Sequence, residues 1–364
     1  MRWKIITSVL VLILIFFAFF LPQPKSALAP PQKPPRWSLL ALGDIMLSEN
    51  RNSGRAMAKH GAHYPFAHLA TLTRKATLTF ANLECPIASS GWSLPGKQIT
   101  FRAKPQAIEA LEHAGIDLVS LANNHILDYN EAALLETIAY LQKHNIGTVG
   151  AGKNWHEAIS PLYLTVRGQK VAFFAATEMA DLFFSYSYPR SFRATETKPG
   201  VAALESQWLL PAIAQARQKA DLVVISLHWG IEDSSYVTPK QRALARELID
   251  AGADLILGHH PHVLQGLEFY KGRPIVYSLA NCIFDQNDEL NKEGMLLTLH
   301  YEGSKLQRVW ALPTYMYEKG QGRPAIEEKG ERIRERLIKL SEALGTNCVQ
   351  MGEAVYFSAG EENY

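Results

Sequence analysis

The segment Leu222-Val223-Val224-Ile225 is apolar at every position, and Leu255-Ile256-Leu257 repeats the pattern after a helix-length interval. Successive side chains of a strand point to opposite faces, so a run without polar alternation must be covered on both sides. Crossover helices supply that cover, which predicts parallel strands in a layered α/β domain. The rest of the chain keeps the rhythm. Strands are expected at Ser38–Met46, Thr77–Leu83, Asp117–Ala122, Asp221–His228 and Asp254–Gly258. Helices are expected at Phe66–Lys75, Pro105–Ala114, Glu131–His144, Leu204–Ala220 and Pro239–Gly252, the second with proline in its first turn. Leu162–Thr177 and Glu268–Ile283 read as hairpins turning at Arg167-Gly168-Gln169 and Lys271-Gly272, and Gly294–Leu312 as a further antiparallel pair. A charged amphipathic helix at Ile326–Leu344 and a short strand near Glu353–Ser358 complete the tail.

The N-terminus has a different character. Arg2 and Lys4 precede an uncharged apolar stretch from Ile5 to Leu21, 17 residues long. As a helix it would span about 25 Å, close to a bilayer's hydrocarbon thickness. The flanking positive charge predicts a cytoplasmic N-terminus with the body outside the cytoplasmic membrane, in a single-pass topology. A cleavable signal peptide is the alternative, since Ala27-Leu28-Ala29 resembles a cleavage site; the length of the apolar region and Pro30 favour an uncleaved anchor. Six prolines in residues 22–36 predict a stiff spacer. The expected organisation is thus an anchor over 1–21, a linker over 22–36, a main domain over 37–320 and an extension over 321–364. Hydrophobic residues make up 47% of the chain and net charge is +2, which fits a large core and argues against nucleic acid as a partner. Cys85, Cys282 and Cys348 lack metal-finger spacing and are expected to be small buried residues.

Polar residues collect where the expected strands end. Gly43-Asp44 lies in the first, Asn82-Leu83-Glu84 closes the second, and Asn123-Asn124-His125 follows the third with Asp128 three positions on. His228-Trp229-Gly230 and Gly258-His259-His260-Pro261-His262 close the next two. Loops at the carboxyl ends of strands form the ligand crevice of α/β sheets. Asp44, Glu84, Asn124, His125, His228, His260 and His262 are therefore the candidate site. Imidazole and carboxylate without thiolate suit Zn, Mn or Fe, as one or two divalent ions.

The order of these blocks, with Phe101-Arg102-Ala103-Lys104-Pro105 and Tyr277-Ser278-Leu279-Ala280-Asn281, resembles the CapA family of capsule or poly-γ-glutamate biosynthesis proteins, a branch of the calcineurin-like metallophosphoesterase superfamily. The resemblance covers residues 38–286. It implies a four-layer α/β/β/α sandwich with metals at the strand ends. By the same resemblance Asp44, Asn124, His228, His260 and His262 are metal ligands, and His125 is placed to protonate a leaving group. Glu84, with Asn82, stands where a bridging Asp is usual, and His259 where Gly is usual. Met46 occupies the position at which catalytic phosphoesterases carry a histidine, which points to a depleted first metal site. The implied function is work on an anionic polymer outside the membrane, with a membrane synthase complex as a possible partner and basic residues such as Arg102 and Lys104 as aids. An exported phosphomonoesterase or nucleotidase and a non-catalytic polymer-binding scaffold are the alternatives.

Overall fold

The computed structural model describes residues 33–181, 190–318 and 320–359. The apolar stretch 5–21 and the first part of the spacer lie outside them. Among the described residues no helix is long and apolar enough to cross a membrane.

The chain enters a first sheet with β1 (Arg36–Ile45), and β2 (Leu78–Leu83), β3 (Leu118–Ser120) and β4 (Gly147–Val149) follow side by side in parallel. The short β5 (Ala151–Gly152) leads to a second sheet. That sheet holds β6 (Leu162–Val166) and β7 (Gln169–Thr177) and, once β8 (Gly200–Val201) has paired with β5, β9 (Leu222–His228), β10 (Leu255–His259), β11 (Leu267–Tyr270) and β12 (Arg273–Val276). Its strands lie in the order β11-β12-β10-β9-β7-β6, parallel in the middle and antiparallel at both edges. The chain then returns to the first sheet. There β13 (Asn281–Ile283) runs parallel to the end of β1, while β14 (Glu293–Glu302) borders Arg36–Ala41 antiparallel. Finally β15 (Lys305–Glu318), β16 (Gln321–Pro324), β17 (Thr346–Met351) and β18 (Ala354–Ala359) extend that sheet.

Three apolar cores follow from the alternation of side chains. Leu39, Ala41 and Phe80 of the first sheet meet Phe173, Val224 and Leu257 of the second, with Phe80 and Phe173 ring centroids 6.2 Å apart. The outer face of the first sheet, through Leu40 and Leu42, packs with Ile108 and Leu111 of helix Ala107–Ala114 and Leu134 and Leu141 of helix Asn130–Lys143. The outer face of the second, through Val223 and Ile225, packs with Leu209 and Ile213 of helix Ser206–Arg217 and Leu248 of helix Pro239–Asp250. Helix, sheet, sheet and helix layers therefore stack as an α/β sandwich. The helix Glu327–Glu342 adds Ile333 and Leu337 to the core between the sheets.

Two expected elements differ. Phe66–Lys75 is not one helix but a 3-10 turn at Tyr64–Phe66 and a single α turn at Ala70–Thr73. At the end of this turn the Thr73 hydroxyl donates to Ala114 O (2.5 Å) and the Thr73 carbonyl accepts from the Thr79 hydroxyl (3.1 Å). The hairpin at Glu268–Ile283 ends at Val276. Ala280 then takes φ 57°, its carbonyl accepts from Asp44 N at 2.8 Å, and the chain crosses into the other sheet. The helix Asn52–His60 was not legible as an element: its one fully buried residue is Ser53.

Candidate metal centre

Register brings the strand ends together. Asp44 of β1 is level with Asn82 of β2 and Asn281 of β13, and His228 of β9 is level with His259 of β10. The two sheets are joined at this end by His259 Nδ1 and Asp44 Oδ1, 3.0 Å apart. The turn after β10 is tightly built. A Cβ on Gly258 would lie 1.9 Å from the Tyr277 carbonyl oxygen, so only glycine fits. His260 and His262 adopt φ of 94° and 56°, left-handed conformations that cost on the order of 1–3 kcal/mol each. Contacts with the neighbouring sheet hold them there: His260 N donates to Asp44 Oδ2 (3.3 Å), and His262 Nδ1 meets Asn281 Oδ1 at 2.9 Å.

Ligand atoms of Asp44, Glu84 and His228 lie within 4.8 Å of one another, all buried, and form a possible metal site. His262 Nε2 and His228 Nε2 stand 3.6 and 3.8 Å from Glu84 Oε1, and His228 Nε2 is 2.9 Å from Asn124 Oδ1. The His260 ring packs on His228 with centroids 4.7 Å apart. Asn82 Nδ2 donates to Asp44 Oδ1 (2.9 Å) and Glu84 Oε2 (3.1 Å), so Asn82 clamps the two carboxylates. Glu84 Oε1, His259 Nε2 and His260 Nδ1 are buried without a hydrogen-bond partner. Buried polar atoms are rarely left so, and a cation among them would satisfy Glu84 Oε1 and an imidazole nitrogen together. The donor set therefore fits a divalent ion.

The electrostatics of the cluster are those of crowded buried carboxylates and imidazoles. Burial works to raise Asp44, but hydrogen bonds and charge from His259 and His262 hold it well below the usual carboxylate range. Burial and the Asp44 charge push Glu84 well above it. Burial and the neighbouring His260 hold His228 far down, and burial with the charge of His262 takes His260 to about 3. His262 moves the other way, to about 10, because Glu84 and Asp44 outweigh its burial.

Beside the cluster, a cleft of about 100 Å³ is lined by Arg51, Phe101, His125, Glu232, His262 and Phe284 among others. His125 Nδ1 is 2.7 Å from Asp128 Oδ2, and burial brings this imidazole down to about 4. Asp128 is itself fixed by Phe101 N (2.7 Å) and by the buried Lys97 ammonium, which also donates to the Asn124 carbonyl at 2.5 Å.

Residues 38–286 match the family model described as bacterial capsule synthesis protein PGA_cap. The chain belongs to this family. The capsule biosynthesis protein CapA of Bacillus anthracis is 33% identical over 270 residues, which cover 72% of this chain and 63% of that one. The chain thus spans less than two thirds of that relative. The PGA biosynthesis protein CapA of Bacillus subtilis is 30% identical, with 76% of this chain and 71% of the relative covered. A probable polyglutamine synthesis accessory protein of Mycobacterium tuberculosis is 31% identical over 73% of this chain and 70% of its own length.

Within this capsule-synthesis fold, several positions acquire a physical role. Met46 turns into the core beneath the outer helices, where its sulfur accepts from Ser48 N at 3.3 Å. Arg102 and Lys104 are not free aids to the cluster: Arg102 donates to Glu49 Oε1 (2.9 Å), and Lys104 stands 3.8 Å from the same carboxylate. Arg51 lines the cleft instead. Lys97 and the clamp made by Asn82 escaped sequence reasoning. Lys97 is one lysine in a Ser-, Gly- and Pro-rich loop, and nothing local marks it as buried.

Proposed function

We propose that this protein is a membrane-anchored, extracytoplasmic CapA-type protein that takes part in the biosynthesis, export or attachment of a capsule-like anionic polymer such as poly-γ-glutamate. Its fold is that of a metallophosphatase-like sandwich preceded by an N-terminal membrane helix. The observation that carries the reading is the buried convergence of Asp44, Glu84 and His228, with Glu84 Oε1 lacking a hydrogen-bond partner. Asp44, Glu84, Asn124, His228, His260 and His262 would hold one or two Mn, Zn or Fe ions. A bound ion supplies Lewis-acid polarisation of a phosphoryl or acyl oxygen. The chain's own residues do the rest. Asn82 and His259 keep the carboxylates in place, and Asp128 with Lys97 fixes the ring of His125. His125, at the wall of the cleft and neutral near pH 7, would take a proton from the attacking water and pass it to the leaving group. Met46 leaves the first metal position one imidazole short, so hydrolysis of generic phosphate esters is expected to be slow.

Elemental analysis of the purified full-length protein tests the centre. It should show one or two ions per chain, lost in His260→Ala; unchanged occupancy in that variant removes the site assignment. Complementation tests the role. In a strain lacking its own copy, the wild type should restore the surface polymer and Asp44→Ala should not. Full rescue by Asp44→Ala would rule out chemistry at this centre.

A further inference from the structure

The turn that carries His260 and His262 is held by a residue outside the family match. Asp233, His260 and His262 take left-handed φ of 59°, 94° and 56°, so this corner of the site needs partners to fix it. Asn291 reaches it from two sides. It lies in the 3-10 turn Leu290–Lys292, beyond the end of the match at 286, and is buried. Its side-chain amide donates to Asp233 Oδ1 at 2.6 Å, and Asp233 N donates to the Pro261 carbonyl at 2.9 Å. Its own carbonyl accepts from Asn281 Nδ2 at 2.8 Å, and the same nitrogen of Asn281 donates to the His262 carbonyl at 3.3 Å. Asn291 thus braces the Pro261-His262 segment through one partner on either side.

These bonds also decide how His262 faces the ligand cluster. Asn281 Nδ2 meets two carbonyl oxygens, which only accept, so Oδ1 is the atom turned to His262 Nδ1, 2.9 Å away. The other neighbour of that imidazole nitrogen is Asp44 Oδ2 at 3.3 Å, again an acceptor. Nδ1 therefore keeps its proton, and Nε2, 3.6 Å from Glu84 Oε1, is the nitrogen a cation can take. The 3-10 turn is itself anchored. Glu289 accepts from Tyr315 Oη (2.7 Å) and Lys292 Nζ (2.8 Å), and Glu293 stands 3.2 and 3.1 Å from Arg332 and Arg336 of helix Glu327–Glu342. Through these contacts the C-terminal extension reaches the site.

We propose that Asn291 is a positioning residue of the metal centre, holding Asn281 and Asp233 so that His262 presents Nε2 to the cation. The proposal rests on the metal-centre reading above and adds to it the part of the chain that aligns one ligand. Removing the group that holds a ligating imidazole by its other nitrogen typically weakens metal binding about 10- to 100-fold.

Calorimetric titration of the full-length protein with zinc and with manganese(II) tests it. Asn291→Asp sets a carboxylate against Asp233 and should weaken binding roughly tenfold or more. Asn291→Ala deletes the bond without adding charge and should weaken it about three- to tenfold. Combining Asn291→Asp with Asp233→Asn reverses donor and acceptor across the same contact and should restore the affinity. In the zinc form of 15N-histidine-labelled protein, Nδ1 of His262 should carry a proton and Nε2 none; the reverse pattern overturns the role of Asn281. Wild-type affinity in both single variants, or a double variant that binds no more tightly than Asn291→Asp alone, overturns the proposal and leaves the metal centre standing. A wild type that binds neither ion overturns the metal-centre reading and this proposal with it.

Discussion

Gly43 shows how little room the site leaves at single positions. A Cβ there would lie 2.0 Å from the Ala280 carbonyl oxygen, the acceptor for the amide of Asp44. Neither backbone can move without shifting the carboxylate, so Gly43→Ala should destabilise the protein by roughly 1–3 kcal/mol. The measurement is chemical denaturation with metal content alongside; a variant with wild-type stability and full metal would show that β1 and β13 can separate here. At this scale the histidines and Asp44 were legible, because imidazoles at strand ends have few purely structural uses. Asn82 as a clamp, Lys97 behind His125 and the neutralised Arg102 were not. Their roles depend on partners 38, 31 and 53 residues away, and no local spacing encodes those contacts.

Elements read more easily than residues where packing acts on both faces. The unbroken apolar runs of β9 and β10 admitted one interpretation, and their ends agree with expectation to within a residue. Elements with weak burial were lost. β17 has one fully buried residue, Thr346, and its pattern carries no alternation to read. The helix Pro239–Asp250 has the opposite property, a start written in the sequence. The Thr238 hydroxyl accepts from Gln241 N at 3.1 Å and the Gln241 side chain accepts from Thr238 N at 3.0 Å, a closed capping box. Thr238→Ala should therefore cost about 1 kcal/mol, read as a lower denaturation midpoint at unchanged slope. The helix start lies beside Gly230, two residues past His228, but the Thr238 hydrogen bonds go to Gln241 and to none of the candidate ligands, so metal content should stay at the wild-type level. Loss of metal in Thr238→Ala would show that the helix start also governs the site.

For the whole molecule, the proposed metal would compete with protons for one cluster. His262 is raised to about 10 in the metal-free chain, against about 6.5 in an unfolded one. A raised imidazole stabilises the fold fully below the unfolded value and loses that contribution as pH rises through the folded one. The metal-free protein should thus melt at lower temperature as pH climbs from about 6.5 to 10. A cation taking His262 must expel its proton, so the metal-loaded protein should show the opposite trend in affinity, tighter at higher pH, with protons released on binding. Calorimetry in buffers of different ionisation heat checks this at neutral pH; uptake without proton release contradicts the charged His262. The strand order sets a further constraint, one of time. Trp37 at the start of β1 donates through its indole to Gly303 O at 2.8 Å, 266 residues later, and β14 borders β1 along Arg36–Ala41. Every candidate ligand has been synthesised before β14 is made, yet the strand carrying Asp44 still lacks its neighbour on one side. Chains stopped just before Glu293 should hold all six ligands, unfold without cooperativity and retain no metal. A cation bound at this centre would then arrive only after β14 has been made.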